Sequence, residues 1–193
     1  MDLGVGVFKL LYSLLSFLLI PVIWYSGADR ITRFLAVGVV GWSGLVYLNF
    51  QFNLFSLTGT YFLDWIVSTP LLVAGFLYES GASLRRVVGT ALLQVGVVLY
   101  GFSALVFPEF FTAFFVFSSL LMVSVLISLG EFFGENRLAY VLIASTFLGY
   151  PLLFWVSEGV LTEVALWLVV LPLVSKHVVA LVEVYPVEEY FFE

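Results

Sequence analysis

Cysteine is absent from the 193 residues, and histidine occurs once. The first absence excludes disulfides and thiolate metal sites. The second excludes a metal centre built from several histidines. Charge is scarce too: Asp, Glu, Lys and Arg together make up 10% of the chain, where a soluble domain carries about a quarter. The first apolar run, MDLGVGVFKLLYSLLSFLLIPVIWY, lacks a basic start and a small-residue cleavage site, so it is expected to span rather than to act as a leader. What the chain does have is apolar surface. Hydrophobic residues make up 63% and aromatics 19%, a composition suited to a lipid solvent. The net charge of −6 says little about partners, because most acids fall in expected loops and near the C-terminus.

Polar punctuation divides the chain into seven segments, each near the roughly 20 apolar residues that cross a bilayer as a helix. They run over Gly4–Tyr25, Asp29–Phe50, Thr58–Glu79, Leu84–Phe107, Glu109–Phe132, Asn136–Ser157 and Leu161–Tyr185. The breaks are SGADR, FNLFSLTG, ESGASLRR, the Phe107-Pro108 turn, GEFFGEN and SEGVLTE. Such short breaks predict antiparallel neighbours in one bundle, with residues 1–193 forming a single domain. Arg30, Arg33, Arg85, Arg86 and Arg137 fall in three alternate loops. Basic loops mark the cytoplasmic side, which predicts the N-terminus outside and the C-terminus inside. Lys9, near the outer end, runs against that bias.

Lys176 stands in the apolar stretch LPLVSKHVVALVEVY, nine residues before Tyr185. That is about 13 Å along a helix, roughly twice what a lysine side chain spans by snorkelling. An ammonium at that depth costs several kcal/mol unless it is paired or chemically changed. An amine in a dry pocket suits imine formation with an aldehyde. Asp64, in TYFLDWIVSTPLL, is the expected anion. Ser68 lies at i+4 on the same face, where it can hydrogen-bond the carboxylate. Pro70 removes a backbone donor close by.

These residues resemble the microbial rhodopsins. The resemblance is carried by DW-x-x-ST-P on the third segment, Tyr150-Pro151 on the sixth and the late lysine of the seventh, in matching order and spacing. WSGLVYLNF, LDWIVSTPLL and VVLPLVSK are closest to the xenorhodopsin branch. The implied fold class is an all-α membrane protein, a seven-transmembrane-helix bundle of microbial rhodopsin type. The implied cofactor is all-trans retinal, held on Lys176 as a Schiff base with Asp64 as counterion. By the same matching, Trp65 and Thr69 flank the polyene. Gly101 belongs to the wall on the fourth segment, and Phe115, Ser118, Ser119 and Met122 to that on the fifth. Phe147, Tyr150 and Phe154 supply the aromatics of the sixth, and their i, i+3, i+7 spacing puts them on one face. Tyr47 aligns with a tyrosine that hydrogen-bonds near the site.

Direction of transport follows from the resemblance only as an expectation. Outward-pumping relatives carry a carboxylate four residues before the lysine, another eleven after the aspartate and an arginine three before it. Here those positions are Pro172, Gly75 and Tyr61. Pro172 is a mark of xenorhodopsins; the plainer reading is a helix kink with no selective chemistry. Xenorhodopsins place a carboxylate at the position of Glu183, seven residues after the lysine, as a cytoplasmic proton acceptor. Some pair it with a histidine, where this chain has Ala36. The plainer reading of Glu183 is an interfacial glutamate touching water. The expected activity is a light-driven inward proton pump. An outward pump and a sensor without net transport stand as alternatives; a sensor would need a separate transducer, since only PVEEYFFE follows Tyr185. The expected partners are the lipid bilayer, protons as cargo and further copies of the chain, a trimer by resemblance, with no nucleic acid. His177 reads as a packed, interhelical histidine, Gln94 as a bridge between helices, Glu158 and Glu163 as solvated loop acids, and Gly130 with Gly134 as a helix-contact signal.

Overall fold

The computed structural model describes residues 3–51, 57–156 and 167–185, with the side chains of 6–49, 59–153 and 170–185. Helices account for nearly all of them: α1 Leu3–Trp24, α2 Arg30–Gln51, α3 Leu57–Glu79, α4 Leu84–Val106, α5 Phe111–Gly130 and α6 Arg137–Val156. The last helix is α7 Trp167–Pro172, a π-helical stretch Leu173–Val178 and α8 Val179–Val184, which follow one another without a break. Among the described residues there is no strand. The segment boundaries read from polar punctuation hold to within a few residues wherever they are described. Glu158 and Glu163 fall outside the described residues.

Local chemistry explains the ends. The Asp29 carboxylate caps α2 by accepting from the Ile31 amide at 2.8 Å. Asn136 caps α6 through the Ala139 amide at 3.0 Å. Helix α3 stops at Gly81, whose φ of 77° only glycine adopts without strain. The Ala82 amide then reaches back to the Leu77 carbonyl at 2.9 Å. Pro108 opens the single 3-10 turn before α5.

Five helical segments are long and apolar enough to cross a membrane: Gly6–Trp24, Arg30–Asn49, Gly59–Glu79, Leu84–Val106 and Pro108–Gly130. Within α6 the apolar stretch is shorter, Arg137–Leu153. The seventh expected span is described only from Trp167 onward. Burial is inverted relative to a water-soluble protein. Leu11, Leu18, Leu92, Leu120 and Ile127 point outward, while Lys9, Ser43, Asp64, Lys176 and Glu183 are buried. An apolar solvent around the bundle accounts for both halves of that pattern. Helix α3 is central: 78% of its span is buried, against 11% for α5. The side chain that must be shielded most, Asp64, is on that helix. Of the expected glycine contacts, Gly130 meets the Tyr140 ring, and Gly134 faces open space.

Candidate functional site

The Lys176 Nζ and the Asp64 carboxylate form a direct ion pair between the π-helical stretch and α3, and neither side chain is exposed. Removing two charges from water costs several kcal/mol for each, and mutual attraction offsets this only with good geometry and further hydrogen bonds. One such bond comes from Ser43 on α2, which donates to Asp64 Oδ1 at 2.6 Å. Ser68 does not take the role expected of it. Its hydroxyl donates to the Asp64 backbone carbonyl at 2.6 Å. This is the back-bonding available to any mid-helix serine, and it leaves the carboxylate to Ser43. No periodicity within one helix points to Ser43, because the contact joins two helices.

Pro172 stands immediately before the widened turn that carries Lys176 and His177. The extra residue in a π turn shifts the side-chain register, and both basic side chains face inward. His177 Nε2 lies 2.7 Å from Ser16 Oγ on α1, and its ring meets that of Tyr12 edge-on at 4.5 Å. The interhelical reading of this histidine fits those contacts.

On the side of Asp64 toward the α1 N-terminus lies a tyrosine cluster. Tyr47 packs on Tyr12 at 4.5 Å and on Tyr61 at 6.2 Å. The Tyr47 hydroxyl is buried without a hydrogen-bond partner among the described residues. Lys9, fully buried, holds its ammonium 4.6 Å from the Tyr61 ring centre and 5.8 Å from that of Tyr47, a cation–π arrangement. Tyr61 occupies the position where an arginine was expected to be missing, and α1 brings a cation to the same place. Sequence reasoning took Lys9, near the outer end of the first segment, only as an exception to the basic-loop bias; its i, i+3, i+7 alignment with Tyr12 and Ser16 was the available signal.

Beside the pair lies a cavity with about 610 Å³ of unfilled space, counting the part open to the outside. Trp65, Thr69, Gly101, Phe115, Ser118, Ser119, Met122, Phe147 and Tyr150 line it. Phe154 belongs to α6, but its side chain lies outside the described residues. The reading did not assign Phe62, Val97, Val98, Ala104 and Pro151 to this wall, though they line it. Phe62, Trp65 and Thr69 follow the i, i+3, i+7 rule, so Phe62 was accessible to the same reasoning. Gln94 also lines the cavity and donates to Thr69 Oγ1 at 3.1 Å. Lys176 and Asp64 are not part of the lining. Trp65, next to Asp64 in sequence, packs on Tyr150 with tilted rings 4.8 Å apart, and the Tyr150 hydroxyl is 3.5 Å from Ser175, the neighbour of Lys176. The pair therefore sits directly behind the aromatic wall. The apolar lining fits a hydrophobic small molecule, and the buried amine fits an aldehyde end group. Gly101 has room for a methyl group, with Ser118 Oγ 3.6 Å from an added Cβ. A larger side chain projects into the cavity. Gly101→Leu should cut pigment yield on titration with retinal while leaving the helical circular dichroism unchanged; full yield would place the chromophore elsewhere.

Glu183 is 2% exposed, and neither carboxyl oxygen has a partner among the described residues. It lies against α3 at Gly75, where an added Cβ would stand 2.8 Å from Oε2. The absence of a side chain at Gly75 makes the space that the glutamate fills.

No family model matches the chain. A curated sensory rhodopsin of Halorubrum sodomense is 30% identical over 112 residues, 54% of this chain and 40% of that protein. The chain thus matches about two fifths of the length of that curated relative. Among solved structures, halorhodopsin, described as a light-driven chloride pump, superposes with a TM-score of 0.82 at 19% identity, covering 98% of this chain and 97% of that one. A cyanorhodopsin from the cyanobacterium Tolypothrix superposes with a TM-score of 0.81 at 15% identity, covering 98% and 96%. The fold is that of the microbial rhodopsins, and the similar curated proteins carry the same kind of name.

Proposed function

We propose that this chain binds all-trans retinal covalently at Lys176 and works as a light-driven proton pump of the xenorhodopsin branch, moving protons inward. The observation that carries the reading is the Lys176–Asp64 ion pair, wholly buried behind an aromatic cavity. As a stabilising device such a pair is poor, since well-packed apolar residues do as well or better. An ionisable pair at membrane depth is therefore read as functional. The branch rests on the sequence resemblance, with Pro172 and Glu183 at the positions that branch uses. The basic loops support the assignment of the α8 end to the cytoplasm.

Retinal held at Lys176 would supply light absorption and a light-dependent change in the proton affinity and bearing of the nitrogen. The residues do the rest. Asp64, supported by Ser43, neutralises the charged nitrogen. Trp65 and Tyr150 close the aromatic wall and keep water from the nitrogen. Glu183 takes the proton on the basic-loop side. Lys9 lies over the Tyr61 ring on the opposite side of Asp64. Return of a proton to Lys176 Nζ comes from the Asp64 side.

One observation favours a second reading. The Glu183 carboxyl sits against Gly75, the position where outward-pumping relatives carry their internal donor. A neutral Glu183 there would act as donor, with Asp64 as acceptor, and the current would reverse. The sign of the photocurrent decides. In oriented vesicles, illumination should move protons toward the basic-loop side, and Glu183→Gln should slow that movement with the colour retained. An uncoupler-sensitive current of the opposite sign would establish the outward reading, and no current would establish a sensor.

A further inference from the structure

The carboxyl of Glu183 is sealed from solvent, so a proton it exchanges needs a route to water. One helical turn beyond Gly75 on α3 is Glu79, which is exposed and acts electrostatically on Glu183. Glu79 Oε2 lies 2.7 Å from Thr32 Oγ1 on α2. The same hydroxyl lies within hydrogen-bond distance of Asp29 Oδ2. Thr32 is fully buried, while Asp29 is exposed. A threonine hydroxyl has one hydrogen. It can donate to one carboxyl and accept from the other when that other carries a proton. Partial burial works against the charge on Asp29. Hydrogen bonds from Thr32 and from the Ile31 and Thr32 amides outweigh this, with Arg33 adding to them, and hold its carboxyl below the usual range. Glu79 is then the carboxyl on the Glu183 side, placed to take up a proton and pass it to Thr32.

We propose that Glu79, Thr32 and Asp29 form the proton-exchange mouth that links Glu183 to the solvent on the basic-loop side. The proposal rests on the reading that Glu183 exchanges a proton with Lys176 Nζ. Every hop is balanced. The Glu183 O–H bond breaks and a proton reaches Glu79 through bridging water. Thr32 Oγ1 takes the proton of Glu79 as its own hydrogen passes to Asp29 Oδ2, and Asp29 gives that hydrogen to bulk water. Run backwards, the same hops load Glu183 from outside the bundle, so the mouth serves either sign of current. A purely structural hydrogen bond between α2 and α3 would account for the Thr32–Glu79 contact alone. It leaves unexplained a single hydroxyl shared by two carboxyls one turn from a sealed acid.

The test uses the full chain reconstituted with retinal in nanodiscs, with a flash and two readouts: the visible-band transient, and a pH dye in the bulk. Glu79→Gln and the near-isosteric Thr32→Val should retain colour and the first step of the visible-band transient. Both should delay the dye signal at least about tenfold, as expected when a proton-transfer group is removed. A small permeant weak acid should restore the dye signal, which it would not do for a merely loosened helix contact. Dye kinetics within twofold of the unaltered protein in both variants would overturn the mouth, as would a delay that the weak acid leaves untouched. Glu183→Gln separates the two levels. If it changes the visible-band transient while Glu79→Gln and Thr32→Val leave the dye unchanged, only the mouth fails. If Glu183→Gln changes nothing, the reading beneath it fails as well.

Discussion

Lys176→Ala protein, incubated with all-trans retinal, should show no visible absorption band at any retinal concentration, while its far-ultraviolet circular dichroism keeps the helical signal. The loss is total rather than graded, because the colour depends on a covalent bond to one nitrogen. Among the described residues, lysine occurs only at positions 9 and 176. Lys9 cannot replace the missing amine, since its nitrogen is committed to the Tyr61 and Tyr47 rings on another side of Asp64. A visible band that survives in Lys176→Ala and resists extraction by apolar solvent would remove the covalent assignment. A fully coloured Lys9→Ala protein alongside a colourless Lys176→Ala protein would locate the bond.

The second large effect concerns stability. Asp64→Asn in the retinal-free protein leaves the Lys176 ammonium buried without its counter-charge. Breaking a buried pair by removing one partner typically costs about 3–5 kcal/mol, a large part of the 5–15 kcal/mol that holds a typical domain together. Asp64→Asn combined with Lys176→Met should recover most of that loss, because no orphan charge remains and methionine matches the lysine stem in volume. Unfolding in detergent, followed by circular dichroism for the two single variants and the double, measures the coupling. Equal destabilisation in Asp64→Asn and in the double variant would mean that the two groups do not act as a pair. The same Asp64→Asn change in the pigment should shift the visible band strongly, because the charge that balances the nitrogen is gone.

How much of this was visible in the sequence depended on how far apart in the chain the relevant partners stand. Spans and turns are local, and Asp29, Gly81, Pro108 and Asn136 mark their ends through contacts within a few residues. Lys176 and Asp64 stood out singly because each is a charge in an apolar run. Their 112-residue separation was bridged by chemical need: one cation, one anion, no other candidate at the same depth. Ser43 and Glu79 offered no such cue, and Lys9, though a charge in an apolar run, stands near the end of its span, where a charge is ordinary. Each acquires its role through a helix distant in sequence, and each has an ordinary reading at its own position. Ser68 shows the converse failure. Its i+4 relation to Asp64 is real, but a serine at that spacing has the carbonyl of its own helix within reach, and that contact prevails. The cavity wall was read from aromatics and hydroxyls, while Val97, Val98 and Ala104 were passed over because small aliphatic residues look alike on every face of such a helix.

Glu183 hangs from the same rod as Lys176. The chain runs helically from Trp167 to Val184 without a gap, and seven residues amount to about 10 Å of rise. Any tilt or slide of that rod carries both groups together, so the spacing between them stays nearly constant, with only the widened turn at Leu173–Val178 able to stretch. Asp64 rides on another rod. Movement of the final helix therefore changes the Lys176–Asp64 gap far more than the Lys176–Glu183 spacing, and under the proposed function the bearing of the nitrogen, rather than its distance, would set the traffic toward Glu183.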